Sequence, residues 1–452
     1  MNEAWIACGG DEAAERSVRR STASTILPSA FDVTGLAADT AEAALLAVAE
    51  LDARRRNRLP PTVQLDVAHV CASFGAERHL QTTGWELPPA WDPIAGDYQT
   101  ADGFIRLHTN YDHHRTAVCD VLDVAPDRDD VAAAVASWNG LELQHAVVAA
   151  AGAAAFMLSE SGWSHSAQGQ AVAIEPLVAT TTSPTSGART IPLGPEPLSG
   201  IRVLDLTRVI AGPTATQFLA SYGASVLRID PPGFAEVPLV LPLVTAGKRC
   251  ASIDFTIDAG RDQLTELLGE ADIVITSLRS DALDRAGFDD AALWRINPGV
   301  VVVRNSAYGW TGPMATTRGF DSLVQMSTGI AASGQTWAGA DRPTPLPVQA
   351  LDYGTGYLMA AAAVRGVTER LDTGHGSAHR VSLARTAEWL KQRPRPTDTP
   401  LASSPIGFLE PAATAWGPIQ RVAPLGGIDG ITPRYCIDPG ELGRHEPRWE
   451  AQ

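Results

Sequence analysis

"VLDLTRVIAGPTATQFLASYGASVLRIDPP" (residues 203–232) decides the fold. A β-branched run leads to a turn at Gly212 and Pro213, then to a helical pattern, then to a second apolar run that stops at Asp230. "DIVITSL" (272–278) and "VVVVRNS" (300–306) continue the series, with helical "GRDQLTELLGEA" (260–271) and "DAALWRI" (290–296) between them. Apolar strands alternating with amphipathic helices predict an α/β domain with a Rossmann-like parallel sheet covered on both faces. Ligands of such sheets lie beyond the carboxyl ends of the strands, which points to the loops beginning at Thr207, Asp230, Ser277 and Ser306. The turn after the first strand lacks G-x-G-x-x-G, so no nicotinamide or flavin is expected there.

Working outward, residues 179–200, "ATTTSPTSGARTIPLGPEPLSG", are rich in Thr, Ser, Pro and Gly and read as a linker. It separates the α/β domain (201–395) from a smaller α+β domain placed N-terminal to it (91–178), in which "GFIRLHT" is a strand followed by helices. Residues 1–90 form a further segment, and residues 396–452 an extension expected to pack back on the domains. An internal echo links residues 43–70 with 359–386 at an offset of 316, pairing Leu65 with Val381 and Arg54 with Arg370: an alanine-rich helix, a basic turn and a short strand in each. In that register Asp352 falls opposite Leu36.

The chain has 452 residues, 45% hydrophobic and 19% charged, with a net charge of -16. That is a globular composition with room for several cores. The acidic balance disfavours nucleic acid as a partner, yet leaves room for a local cationic cluster that binds an anionic ligand. Five cysteines without C-x-x-C pairing argue against a zinc ribbon or disulfide framework and fit a reducing cytoplasm. The apolar stretch from Ala146 to Leu158 is too short for a membrane span and reads as a buried helix. The N-terminal twenty residues lack the apolar core of a signal peptide.

"LPVQALDYGTGYLMAAAAV" (346–364) poses the chemical question. Asp352 sits where an extended run turns into an alanine-rich helix. A carboxylate there caps orphan N–H groups and is kept ionised by them; the same position suits a carboxylate nucleophile. Position alone leaves both open. His113 and His114 in "YDHHR" point in different directions and have no third ligand at a useful spacing, so a metal site is not expected.

Several blocks in order carry a family resemblance. They are the opening stretch, "AGKRCASIDF" (246–255), "ADIVITSLRSDALDRAGFD" (271–289), "INPGVVVVRNSAYGWTGP" (296–313), "RGFDSLVQMSTG" (318–329) and "ALDYGTGYLMAAAAV" (350–364). Together they resemble the class III CoA-transferases, a family that includes formyl-CoA and carnitine CoA-transferases and α-methylacyl-CoA racemases. The small domain precedes the large one, as in a rearranged tandem fusion with a truncated first copy. The resemblance implies that CoA moves between an acyl-CoA and a carboxylic acid, with Asp352 as covalent nucleophile. It places CoA contacts at Ile210, Ala211, Gly247, Lys248, Leu278, Arg279, Arg285, Ala307 and Tyr308, with Arg249 a further cation near them. It implies no tightly bound cofactor beyond CoA as a substrate moiety, a homodimer, and no nucleic-acid or membrane partner. Racemase relatives carry a histidine where this chain has Phe320, which favours transfer over racemisation. Pro231 and Pro232 replace a basic residue of some members, and no glycine-rich shielding loop is evident. An acyl-CoA racemase or isomerase and a non-catalytic CoA-binding subunit are the alternatives.

Overall fold

The structure is a computed structural model that describes residues 1–452 except 22, 23, 188, 280, 281, 399, 402, 403, 451 and 452. Its N-terminal part is built on the long helix α1 (Val33–Arg56), the short strand β1 (Val63–Leu65) and α2 (Val67–Ser73). Asp32 starts α1 by accepting from the Gly35 N–H at 2.8 Å, and Asn57 ends it in the left-handed conformation. A three-stranded antiparallel sheet follows, formed by β2 (Gly96–Gln99), β3 (Phe104–Leu107) and β4 (Ala154–Phe156). Helix α3 (Asp112–Leu122) and two shorter helices pack on it around Ile105, Leu107, Val118, Val131 and Leu143. This is the smaller α+β unit. The stretch 146–158, expected as one helix, divides: a helix ends at Ala149, Ala151 turns at φ 62°, and β4 begins at Ala154.

The large sheet has seven strands: β5 (Ala179–Ser186), β6 (Arg202–Leu206), β7 (Ser225–Asp230), β8 (Lys248–Ser252), β9 (Ile273–Thr276), β10 (Val301–Ser306) and β11 (His375–Ser382). Their spatial order is β8-β7-β6-β9-β10-β11-β5. Six are parallel, and β5 closes the edge antiparallel to β11. The expected linker is therefore a strand over its first eight residues: threonines paired with Ser377, Ala378 and His379 satisfy the edge of β11. Residue 188 of that stretch lies outside the described residues. The order reverses between β6 and β9, so the crevice beyond their carboxyl ends is where this topology binds ligands.

Helices α4 (Ala211–Ser221), α5 (Asp321–Ser327) and α6 (Ala350–Thr373) lie near that crevice; α7 (Leu383–Gln392) follows β11. α6 is buried along nearly its whole length, which its alanines permit. Two glycines in its first turns let neighbours approach: a Cβ on Gly356 would lie 2.5 Å from the Ala211 carbonyl oxygen, and one on Gly354 would touch Leu36 of α1. The internal echo exists as structure, since helix, strand and helix (α1, β1, α2) recur as α6, β11 and α7. Moreover α1 and α6 pack on each other.

Among the described residues no helix is long and apolar enough to cross a membrane, and all five cysteines are unpaired. The C-terminal residues run back over the large sheet, where the Tyr222 hydroxyl donates to the Leu425 carbonyl at 2.9 Å and the Trp449 indole to the Leu267 carbonyl at 3.1 Å.

Candidate active site

Asp352 is the third residue of α6, whose N-cap, Gln349, offers no side-chain bond. The N–H groups of Leu351 and Asp352 instead donate to Oδ2 of Asp321 on α5, at 2.8 and 3.0 Å. The Asp321 Oδ1 accepts from the Gln325 amide, and Gln325 in turn accepts from the Leu346 N–H at 2.7 Å. Asp321, on α5, thus caps a helix other than its own. The Asp352 carboxyl is released from capping and, though only 7% exposed, opens onto two clefts.

Its electrostatics differ from the sequence expectation. Burial pushes the Asp352 carboxyl well above the usual carboxylate range, and the charges of Asp321 and Glu77 push it further. Burial also raises Asp321, to about 6. The partial charge of a helix N-terminus is outweighed by desolvation and two like charges. Because the folded-state pKa of Asp352 exceeds its value in the unfolded chain, the group costs nothing below about pH 4 and destabilises the fold as pH rises through the raised pKa. Asp352→Asn should therefore raise the melting temperature at pH 8 and lose that advantage at pH 4, as read by thermal denaturation at the two pH values.

The clefts meet at Val209, Phe320 and Asp352, which line both. Val209 adopts φ 66°, costly for a β-branched residue, and its N–H is held by Glu236 Oε2 at 3.0 Å. The first cleft, about 330 Å³, lies against the loops after β6, β9 and β10 and is lined by Arg208, Arg279, Arg318, His113 and His114; Asp352 is the one carboxylate among its described lining residues. Burial and the nearby Arg279 guanidinium lower the pKa of Arg318, so two cations crowd one wall. The second cleft, about 310 Å³, has the opposite character, with Trp91, Ile210, Val237, Leu239 and Val240 beside Glu77, Asp321 and Asp352. His108 stands in that wall, its ring stacked on Phe320 with centroids 3.6 Å apart.

Of the residues singled out from sequence, Ala211, Leu278, Arg279 and Ala307 line the first cleft with Asp352, and Ile210 lines the second. Gly247, Lys248, Arg285 and Tyr308 line neither. Lys248 is fully buried, its ammonium donating to Asp205 at 2.9 Å, Thr216 at 2.6 Å and the Pro213 carbonyl at 3.2 Å. The expected CoA contact is a core ion pair. Gly247 packs on Ala220 and Tyr435, where a side chain would collide. Tyr308 is buried with its hydroxyl near Ser327, and Arg285 lies exposed on a short helix. Arg249 turns away to the Arg448 carbonyl. Arg208, Arg318, His108 and Glu77 escaped the sequence reading: the two arginines stand in turns without periodicity, and His108 and Glu77 belong to segments that only the tertiary fold brings to Asp352.

Residues 198–406 match the model of the family described as CoA-transferase family III. The match takes in 209 of the 452 residues, so this segment is similar to that family. The family III segment contains β6 to β11 together with Asp321 and Asp352; Glu77, Trp91, His108, His113 and His114 lie before it. It is 30% identical to the acetyl-coenzyme A transferase nodX of Hypoxylon pulicicidum, over 43% of this chain and 34% of that protein. It is likewise 30% identical to the probable fatty acyl-CoA transferase Rv3272 of Mycobacterium tuberculosis (42% and 50%) and to a formyl-CoA:oxalate CoA-transferase of a Bradyrhizobium species (40% and 44%). The chain thus spans half or less of the length of these curated relatives. A crystal structure of the M. tuberculosis protein aligns with a TM-score of 0.40 at 29% identity, over 44% of this chain and 57% of that one. A CaiB/BaiF family protein from Brucella suis aligns at 0.39 and 26% identity, over 49% and 65%.

Proposed function

We propose that this chain is a CoA-transferase in which Asp352 carries the reaction covalently. The observation that supports it best is the position of Asp352, an uncapping carboxyl where a cationic cleft and an apolar cleft meet. CoA is polyanionic, and its phosphates need guanidinium groups; Arg208, Arg279 and Arg318 supply them beside the loops after β6 and β9. In the proposed sequence, the Asp352 carboxylate attacks the thioester carbonyl of the donor. The C–S bond breaks, CoA thiolate leaves, and an aspartyl–acyl anhydride forms. The thiolate then attacks the Asp352 carbonyl, releasing the donor acid as its carboxylate and leaving an aspartyl-CoA thioester. An acceptor carboxylate runs the two steps in reverse and restores ionised Asp352. Once Asp352 is ionised, proton transfer is not needed at any step.

Formyl-CoA, oxalate, acetyl and fatty acyl appear in the names of the relatives, and acyl-CoA with a carboxylic acid is the substrate pair proposed here. Residues 77–114 and 352 of one chain line both clefts, so a homodimer, also proposed, is not required to complete them. The test is isotope exchange. With acyl-CoA and the same acid in labelled form, label is expected to enter the acyl-CoA pool at a rate dependent on enzyme. Loss of thioester without labelled acyl-CoA means hydrolysis, and solvent deuterium at the α-carbon without acid exchange means racemisation; either result overturns the proposal.

A further inference from the structure

The second cleft carries information on which acids are exchanged. Its apolar lining includes Trp91, Ile210, Val237, Leu239, Val240 and Phe320, with Asn110, Ser322 and Gln349 as neutral polar groups among them. Its ionisable groups are mostly acidic, Glu77 and Asp321 in addition to Asp352, and its one arginine, Arg78, is exposed. His108 is 4% exposed, and its buried Nδ1 has no hydrogen-bond partner among the described residues. Burial, with His114 and Arg106 nearby, lowers its pKa to about 3, so at neutral pH it offers a hydrogen bond without charge. His114 is likewise buried with both ring nitrogens unpartnered, and its ring lies edge-on to His108. A cleft with greasy walls, buried carboxyls and a neutral donor is hostile to a second carboxylate, which would be desolvated next to like charges. It accepts an apolar body whose single polar end points at Asp352.

Resting on the CoA-transferase reading, we propose that the second cleft is the acyl chamber and that the acids exchanged are monocarboxylic acids with an apolar body of several carbons, in preference to short dicarboxylic acids. The chamber is walled on one side by Trp91 and His108, which precede the matched segment, and on the other by Ile210, Val237, Leu239, Val240 and Phe320 within it, so both parts of the chain shape this selectivity. One carboxylate carbon at Asp352 with the tail toward Leu239 places all the substrate charge at the junction of the two clefts, where the arginine wall begins.

The test uses the full-length protein and the exchange assay with hexanoyl-CoA, phenylacetyl-CoA, acetyl-CoA and succinyl-CoA, each with its labelled acid. Hexanoyl or phenylacetyl exchange is expected to exceed succinyl exchange at least tenfold in kcat/KM. Leu239→Trp, at a partly exposed position in the cleft lining, is expected to lower the hexanoyl-to-acetyl ratio at least tenfold. A succinyl rate equal to or above the hexanoyl rate overturns the proposal, and does so most directly if Arg78→Ala abolishes it, because the rim guanidinium would then hold the distal carboxylate. A ratio unmoved by Leu239→Trp overturns it as well. No exchange with any of the four overturns the CoA-transferase reading itself, a result separable from a wrong acyl preference because the latter leaves exchange intact.

Discussion

Asp352→Asn is expected to lower CoA exchange by at least ~10³-fold, because an amide can form neither the anhydride nor the thioester. The loss should come without unfolding. The side chain makes no cap, since Asp321 holds the α6 amides, and removing a buried carboxyl beside Asp321 and Glu77 relieves repulsion. An inactive variant that melts no lower than the parent at pH 8 separates a chemical role from a structural one. The same environment fixes the pH profile. Only the ionised carboxylate attacks, and its pKa lies well above the usual value, so the rate of the unmodified protein should climb with pH beyond the range where an ordinary aspartate is already ionised.

The second large effect is on stability. Lys248→Ala is expected to destabilise the fold by about 3–5 kcal/mol, because it strands a fully buried carboxylate. Lys248 and Asp205 are both 0% exposed, and Asp205 also accepts from the Thr207 and Thr216 hydroxyls. Burial alone would raise the Asp205 pKa, yet Lys248, Arg228 and those hydroxyls hold it below the usual range. Denaturant titration should place Lys248→Ala far below the parent, and a paired Lys248→Met, Asp205→Leu replacement should recover much of the loss, since apolar groups of similar volume need no counter-charge. If Lys248 instead held a CoA phosphate in solution, the alanine variant would keep its stability and lose CoA affinity. The measurement therefore decides between the sequence reading and the buried pair.

The parallel sheet was legible because its strands are continuous apolar runs separated by helical periodicity, and residues 203–232 alone announce the unit. The antiparallel edge strand was not. Ala179–Ser186 is mostly Thr and Ser with a proline, a composition shared by linkers and by exposed edge strands, and only its pairing with β11 distinguishes them. The chain reversal at Ala151 was hidden for a related reason, as a run of alanine and valine fits helix or strand equally. In the site, Asp352 could be located by its place at a helix start, but its freedom from capping depends on Asp321 reaching across from α5. Lys248 was misplaced because a lysine in a "GKR" turn looks like a surface cation, and nothing local tells that Asp205 and Thr216 converge on it. Arg208 and Arg318 were invisible for the opposite reason: a single arginine in a turn carries no pattern until a cleft gives it neighbours.

The most direct measurement of the central claim is peptide mass spectrometry after brief incubation with acyl-CoA, acid quench and trapping with hydroxylamine. A hydroxamate on Asp352, in the peptide containing "ALDYGTGYL", is the predicted result, absent from Asp352→Asn and absent without acyl-CoA. Full exchange activity with Asp352 unmodified, or with Asp352 replaced by alanine, would contradict the account.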